Sequence, residues 1–267
     1  MGQLDCFLQC NLADIVIFKR GVFGAIITCA GDYWAIFAYI HLDYIPRGGV
    51  FAEFPLVFFT ITAFTWREWL DFIGEDSVCL ILGDNIFYGL DFSKQLEAVV
   101  QRNQLGAKAT IFGYTVKDPH RYGVIEFDAQ GNALSIEEKP ENPKSNQAVV
   151  GLYFYPNEVV KVAQTIKPSA RGELEITAIN QYFLAHQKLK VEALGRGVAW
   201  LDTGTHESLL TASQFIETIE KRTGLKIGCL EEIAYQKGYI SQDKLLEQAQ
   251  KLRGTSYGDY LLKKYTH

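Results

Sequence analysis

The chain has 267 residues, of which 48% are hydrophobic and 21% charged, and its net charge is −5 at pH 7. This length and composition are those of a globular chain with a sizeable core. Because the net charge is negative and Lys and Arg are scattered, we expect no nucleic-acid partner. The five Cys show no regular spacing, which predicts reduced thiols in the cytoplasm and argues against a disulfide framework.

Residues 1–66 show neither the alternation of a strand nor the stripe of an amphipathic helix. Residues 22–40 are long enough to suggest a membrane span, but Asp32 interrupts them and no basic flank follows. Residues 54–66 are too short to span. The first residues lack a basic segment and a small-residue cleavage site, so we expect no signal peptide and no membrane association.

The pattern becomes regular from Arg67 onward and predicts alternating strands and helices. The predicted strands are 78–82, 109–116, 122–127, 133–136, 149–155, 189–194 and 198–201. The predicted helices cover 92–100, 157–166, 173–186, 206–222, 230–236 and 241–252. Asn157 and Ser241 are the predicted N-cap residues of two of them. Strand 78–82, its following helix and strand 109–116 make a β-α-β unit, and 122–136 reads as a hairpin.

Two carboxylates follow apolar, strand-like runs. Asp84 follows Leu80-Ile-Leu-Gly, and Asp202 follows Val198-Ala-Trp-Leu. Ligands of α/β sheets bind at the carboxyl ends of the strands, so we expect both side chains at the same edge of one sheet. Oxygen ligands from two strands suit Mg²⁺, which completes its shell with water and phosphate. The alternative for Asp84-Asn85 is a plain turn.

Charged residues between these two aspartates suggest anion and sugar binding. Glu138 and Lys139 end a strand before Pro140, where Lys can neutralise a phosphate and Glu can accept from sugar hydroxyls; a solvated hairpin end is the alternative. Acidic residues fall in the first turn of the helix predicted from residue 173, where the helix dipole favours them. Arg171 lies just outside this helix and can bind an anion. The alternative is plain helix capping, which we prefer for Glu175. Gly123 is either a turn residue or a point where a substrate lies against the backbone.

Read together, several segments resemble the sugar-nucleotide nucleotidylyltransferases over about residues 67–265, in the family's order. The matching segments are Leu82-Gly-Asp-Asn-Ile-Phe-Tyr-Gly89, Arg121-Tyr-Gly-Val-Ile-Glu-Phe127, Ser135-Ile-Glu-Glu-Lys-Pro140, Pro143-Lys-Ser-Asn146, Gly151-Leu-Tyr-Phe-Tyr155, Arg171-Gly-Glu-Leu-Glu-Ile-Thr177, Trp200-Leu-Asp-Thr-Gly-Thr-His206, Cys229-Leu-Glu-Glu-Ile-Ala234 and Tyr257-Gly-Asp-Tyr260. The resemblance implies an α/β, Rossmann-like nucleotide-diphospho-sugar transferase fold with a mixed central sheet and a helical C-terminal tail. It also implies a Mg²⁺-dependent reaction of glucose 1-phosphate with dTTP, giving dTDP-glucose and pyrophosphate for deoxysugar and polysaccharide synthesis.

The resemblance also assigns roles to individual residues. Asp84 and Asp202 match the family's Mg²⁺ ligands, and Lys139 and Arg171 match groups that hold the sugar phosphate. Among the substrate contacts, Asn85 matches a residue that touches the product, and Gly123, Glu138 and Val149 match residues that contact the sugar. The family usually forms homo-oligomers, which we expect here by resemblance alone.

The N-terminal part departs from the family, whose members open with a Gly-rich, Arg-containing loop that cradles the triphosphate. Residues 1–66 contain no Gly-x-Gly followed by Arg. We therefore expect a degenerate N-terminal part over 1–66, a nucleotidyltransferase core over 67–224 and a helical extension over 225–267. A shifted reading frame is one hypothesis for 1–66. Two alternatives to the active enzyme remain: a catalytically dead relative that binds sugar phosphate or serves as a subunit, and a pyrophosphorylase of different base or sugar specificity.

Overall fold

The computed structural model describes residues 75, 77–105 and 108–266, together with five short strands between residues 15 and 41. Apart from those strands, the predictions made for residues 1–66 lie outside the described part of the chain. The chain divides into two compact units. Of the described residues, the first unit holds 15–18 and those from 75 to 204, and the second holds the other short strands and 205–266.

The structure has the following strands and helices. The strands are β1 (Ile15–Phe18), β2 (Val22–Phe23), β3 (Ile26–Ile27), β4 (Ile36–Phe37), β5 (Ile40–His41), β6 (Val78–Leu82), β7 (Asn85–Gly89), β8 (Ala109–Thr115), β9 (Gly123–Phe127), β10 (Ala133–Glu138), β11 (Gln147–Tyr155), β12 (Leu189–Ala193) and β13 (Val198–Asp202). The helices are α1 (Phe92–Leu105), α2 (Glu158–Ala163), α3 (Ile176–Ala185), α4 (His206–Thr223), α5 (Leu230–Gln236), α6 (Gln242–Lys251) and α7 (Ser256–Tyr265). A 3₁₀ turn covers Pro119–Arg121.

The first unit is built on a mixed sheet, as predicted. Its strand order is β1-β6-β11-β8-β12, with β9 beside β11 and β10 beside β9. Among the described strands of this sheet, β8 and β12 are the one parallel pair. The predicted β-α-β unit has parallel strands, but they are not neighbours, because β11 lies between β6 and β8 and is antiparallel to both. β7 and β13 form a separate antiparallel pair.

Strand β11 explains why the core of this unit lies on both faces of the sheet. Successive side chains of a strand point to opposite faces. Val149, Tyr153 and Tyr155 belong to one hydrophobic cluster, which also contains side chains of α2 and α3. Ala148, Val150, Leu152 and Phe154 belong to a second cluster, which includes Val99 of α1. Because β11 contributes side chains to both clusters, it lies at the centre of the core of this unit. Each fully buried Leu or Phe stabilises the fold by about 1.5–3 kcal/mol.

The predicted C-terminal end of α2 is wrong, for a local reason. The helix predicted to continue to Ile166 ends at Ala163, because Thr165 donates its N–H and its hydroxyl to the Val162 carbonyl. Asn157 lies at the N-cap position, as predicted, but its backbone angles are helical and its side chain makes no capping hydrogen bond.

The helix predicted from residue 173 begins only at Ile176. Glu175 is extended, with φ −93° and ψ 133°, and is the N-cap residue. The acidic residues Glu173 and Glu175 therefore precede the helix and do not lie in its first turn. Both pair instead with Arg171.

The helices α4–α7 of the second unit have clear termini and a small core of their own. Thr205 and Ser208 form a capping box at the start of α4, and Gly224 ends it with a left-handed backbone, φ 70°. The predicted cap of α6 is confirmed, since the Ser241 hydroxyl accepts from the Lys244 N–H. The hydrophobic core of these helices contains the buried residues Cys229, Leu245, Ala249 and Leu261.

A buried carboxylate also joins α5 to α7. Glu232 is 7% exposed and accepts hydrogen bonds from Tyr260, Lys264 and Tyr265. Burial opposes ionisation of Glu232, but these hydrogen bonds outweigh burial and hold its pKa below the usual value. A search of the described helices finds none with the length and apolarity that crossing a membrane requires.

Candidate active site

The carboxylates of Asp84 and Asp202 converge beside Gly204. Asp84 lies in the turn between β6 and β7, and Asp202 ends β13 opposite Asn85. The N–H and hydroxyl of Thr203 both donate to the Asp84 carbonyl, at 2.7 and 2.9 Å. A Cβ atom built on Gly204 would lie 3.3 Å from Asp84 Oδ2 and 3.1 Å from Asp202 Oδ1. Both carboxylates therefore face one small space, which the missing side chain of Gly204 keeps open.

The route by which the two aspartates meet differs from the prediction. They do not end two strands of one sheet, because β13 pairs with β7 in a separate two-stranded sheet. The convergence nevertheless fits Mg²⁺, which prefers carboxylate oxygens and accepts water and phosphate for the rest of its shell. Within residues 75–266, as far as they are described, no three His, Cys, Asp or Glu side chains form a metal-binding group. An ion held by Asp84 and Asp202 would therefore depend on water or substrate oxygens.

Asn85 fixes the orientation of Asp84. Its Oδ1 accepts from the Trp200 indole N–H at 2.6 Å and from the Gly151 N–H at 3.0 Å. Its Nδ2 donates to Asp84 Oδ1 at 2.6 Å. A Cβ atom at Gly151 would lie 2.7 Å from Asn85 Oδ1, so only glycine leaves room for this arrangement. The predicted product contact Asn85 is thus also the link between Asp84 and the sheet.

The three predicted sugar contacts lie around a second point, on the β9–β10 hairpin and β11. Gly123 pairs with Glu138 across the hairpin. A Cβ atom built on Gly123 would lie 3.4 Å from Glu138 Oε2, 3.6 Å from Val149 Cγ2 and 3.3 Å from Thr177 Oγ1. The Thr177 hydroxyl donates to Glu138 Oε2. The structure therefore brings Gly123, Glu138 and Val149 together and adds Thr177, which the sequence analysis did not select.

Lys139 has an unusual backbone conformation next to this cluster. Its φ is +42°, in the left-handed region, and Pro140 follows it. This conformation costs a non-glycine residue about 1–3 kcal/mol and is typical of functional sites. Its N–H donates to the Tyr122 carbonyl at 3.0 Å. The Lys139 side chain is exposed, and no carboxylate of the described residues pairs with its ammonium group.

Arg171 is held by its own loop. Its guanidinium lies 3.1 Å from Glu173 and 3.4 Å from Glu175. The Ser169 hydroxyl also donates to Glu175. A phosphate bound by Arg171 would therefore have to compete with two internal ion pairs.

The negative charges of the site contribute to raised pKa values at two tyrosines. Burial raises the pKa of Tyr153, and the charges of Glu138 and Asp84 raise it further, so this phenol stays neutral between the two clusters. Burial also raises the pKa of Tyr122, and Asp202 adds to that effect, whereas Arg121 opposes it.

The residues that the sequence analysis missed all lie in segments that it quoted. Arg121 begins the segment that contains Gly123, Gly151 begins the β11 segment, Thr177 ends the Arg171 segment, and Trp200 precedes Asp202 by two positions on the same face of β13. The signal that could have found Trp200 is therefore strand alternation. Gly151 and Thr177 act through contacts with distant segments, which the sequence does not show.

This combination of fold and site defines a class of proteins. The family model described as nucleotidyl transferase matches residues 60–219. The chain belongs to the nucleotidyl transferase family.

Individual relatives carry more specific names. The chain is 52% identical over 193 residues to the glucose-1-phosphate thymidylyltransferase of Neisseria meningitidis serogroup A / serotype 4A. The matched region covers 72% of this chain and 66% of that protein. The enzyme of the same name from Mycolicibacterium smegmatis is 53% identical over 192 residues, covering 72% of this chain and 65% of that protein. The matched part of the chain thus spans just under two thirds of the length of these relatives.

One solved structure supports the fold alone. A UDP-glucose pyrophosphorylase complexed with UDP-glucose superimposes with a TM-score of 0.50 at 22% sequence identity. The match covers 56% of this chain and 59% of that structure. The predicted nucleotide-diphospho-sugar transferase fold is confirmed.

Proposed function

We propose that this chain transfers a nucleotidyl group from dTTP to glucose 1-phosphate, forming dTDP-glucose and pyrophosphate for deoxysugar and polysaccharide synthesis. The observation that carries the proposal is the pair of convergent clusters, Asp84 with Asp202 and Gly123 with Glu138, in a chain 52% identical to a glucose-1-phosphate thymidylyltransferase. The cytoplasm and a homo-oligomeric state belong to the same proposal. So does a core over residues 67–224, which contains every site residue named here.

The sugar end of the site would bind by hydrogen bonding and close approach. Glu138 accepts hydrogen bonds from sugar hydroxyls, in an orientation fixed by the Thr177 hydroxyl. Gly123 leaves the backbone open beside that carboxylate. Val149, which is 8% exposed, offers an apolar contact for the ring.

The phosphate end would work by position and charge neutralisation. An oxygen of the sugar phosphate attacks the α-phosphorus of dTTP, and the bond from that phosphorus to the bridging oxygen of pyrophosphate breaks. The attacking phosphate is already ionised, so no general base is required. Lys139 and Arg171 neutralise its charge and hold it in line. Mg²⁺ bound by Asp84 and Asp202 would stabilise the negative charge on the phosphoryl oxygens.

The test is product formation by the purified chain. Glucose 1-phosphate, Mg²⁺ and either dTTP or UTP are incubated with the chain, and the nucleotide sugars are separated by anion-exchange chromatography. We expect dTDP-glucose with dTTP, much less product with UTP, and none from Asp84→Ala. Preference for UTP or for another sugar phosphate would replace this assignment with a pyrophosphorylase of different specificity.

One sequence feature favours a second function, a relative that binds sugar phosphate without turnover. Residues 1–66 contain no Gly-x-Gly followed by Arg, which the family uses to cradle the triphosphate. Isothermal titration of the folded chain with glucose 1-phosphate separates the two functions. Binding that Glu138→Gln weakens, in a chain that forms no product with any nucleotide, would establish the second function.

A further inference from the structure

A guanidinium group lies against the aspartate pair. Arg121 ends the 3₁₀ turn before β9, and its Nη2 lies 3.6 Å from Asp202 Oδ2. The other oxygen of that carboxylate, Oδ1, accepts the N–H of Gly204 at 3.0 Å. Both oxygens of Asp202 are therefore engaged by the protein itself.

Arg121 is more exposed to solvent than the carboxylate with which it pairs. The side chain of Arg121 is 41% exposed, whereas that of Asp202 is 18% exposed. The guanidinium carbon lies 5.5 Å from the centre of the Tyr122 ring, and that ring packs edge-on against Trp200 at 5.0 Å. A half-exposed guanidinium held by one ion pair and one aromatic ring can change its partner at low cost.

The chain that follows Arg121 runs directly to the sugar end of the site. Gly123, two residues on, lies against Glu138, and the Tyr122 carbonyl accepts the Lys139 N–H. Arg121 thus pairs with one of the two aspartates, and the next residue in the chain, Tyr122, accepts a hydrogen bond from Lys139, which is assigned to the sugar phosphate. The planar donor group of Arg121 matches phosphate oxygens, which it can bind in a bidentate manner.

We propose that Arg121 couples cation binding to phosphate binding: it is the counter-ion of Asp202 when no phosphate is present, and a phosphate ligand when one is bound. This inference rests on the proposed function and assigns a role to a residue that the function does not require. In the first state the guanidinium repels a divalent cation from Asp202. In the second state the phosphate oxygens draw the guanidinium away and leave the carboxylate to the cation.

The proposal predicts that the chain binds a free divalent cation poorly and a cation–phosphate complex well. One unit charge beside a divalent ion, at the high effective dielectric of a half-exposed site, changes the affinity by about tenfold. Arg121→Gln is therefore expected to raise the affinity for the free cation about tenfold and to lower the affinity for the complex. Arg121→Lys keeps the charge and is expected to resemble the wild type in free-cation affinity.

The experiment measures Mn²⁺ binding to the full chain by electron paramagnetic resonance, and binding of manganese pyrophosphate by water-proton relaxation. Neither readout requires turnover. Arg102→Gln is the matched control, because Arg102 pairs with Glu192 at 2.6 Å with side chains 44% and 20% exposed. We expect Arg102→Gln to behave as the wild type in both titrations.

The outcomes separate this proposal from the proposed function. An unchanged or weaker affinity of Arg121→Gln for free Mn²⁺ overturns the coupling, as does unchanged affinity for manganese pyrophosphate. The expected shifts in a chain that forms no nucleotide sugar would support the coupling while the proposed function fails. Absence of binding by the folded wild type in both titrations overturns both.

Discussion

The two units of this chain differ in how they use their carboxylates. In the second unit, Glu232 accepts hydrogen bonds from Tyr260, Lys264 and Tyr265, so its charge is fully satisfied within the fold. In the first unit, Asp84 and Asp202 face an open space beside Gly204. Under the proposed function, the carboxylates of the first unit serve an external ion and substrate, whereas Glu232 serves the stability of the fold.

Replacing an aspartate of the first unit gives the largest expected effect of this comparison. We expect Asp202→Asn to lower the rate of pyrophosphate release by a factor on the order of 10³, because one oxygen ligand for the cation loses its charge. The thermal unfolding midpoint should change little. Asp243→Asn, at an exposed position in the first turn of α6, is the control and should keep the wild-type rate. Equal rates for the two variants would show that Asp202 does not serve the reaction.

A methyl group at Gly151 should damage the site indirectly. The Cβ of Gly151→Ala would lie 2.7 Å from Asn85 Oδ1 and displace the amide that orients Asp84. Loss of such a supporting contact lowers activity by about 10–100-fold. Gly197→Ala is the matched control, since a Cβ there has no atom within 4 Å. Steady-state kinetics of the two variants check this, and full activity of Gly151→Ala would contradict the role given to Asn85.

In the second unit, the same kind of change should affect stability alone. We expect Glu232→Gln to lower the free energy of unfolding by about 2 kcal/mol, because the side chains that donate to Glu232 lose a charged acceptor. Turnover per folded molecule should stay at the wild-type value. Urea unfolding monitored by circular dichroism measures the loss. Glu247→Gln, whose carboxylate is exposed and pairs with Lys244 and Lys251, is the control and should leave the urea unfolding midpoint unchanged.

The smallest expected effect is the pH dependence of the stability difference between the wild type and Glu232→Gln. The pKa of Glu232 is lowered in the folded state from its ordinary value of 4.5. Its contribution to stability is therefore complete above that value and is lost as the pH falls through the folded pKa. The stability gap between wild type and Glu232→Gln should be constant near neutral pH and shrink below about pH 4.5. A gap that grows on acidification would contradict the assignment.

The sequence indicated which residues lie close together better than the route by which the fold brings them together. Local patterns were sufficient for β6, α5 and β13, because apolar runs and caps determine such elements. Residues grouped by resemblance also meet in space, as Gly123, Glu138 and Val149 do. The start of α3 was mispredicted, because ion pairs of Arg171 hold the preceding acidic residues in an extended segment.

Other features depend on contacts that no local pattern carries. The insertion of β11 between β6 and β8 requires pairing of strands distant in sequence. The hydrogen bond from Trp200 to Asn85 likewise joins residues 115 positions apart. The predictions for residues 1–66 stay predictions. Translation of the gene upstream of the Arg67 codon in all three frames tests the shifted-frame hypothesis, which fails if no frame encodes the Gly-rich loop.

The most direct test of the contrast between the two units is the rate of pyrophosphate release per folded molecule with glucose 1-phosphate, dTTP and Mg²⁺. The rate is compared for the wild type, Asp84→Asn and Glu232→Gln. We predict turnover by the wild type, the same turnover by Glu232→Gln, and loss of turnover by Asp84→Asn. Turnover that survives in Asp84→Asn, or that falls equally in both variants, would contradict the separation of catalytic and structural carboxylates between the two units.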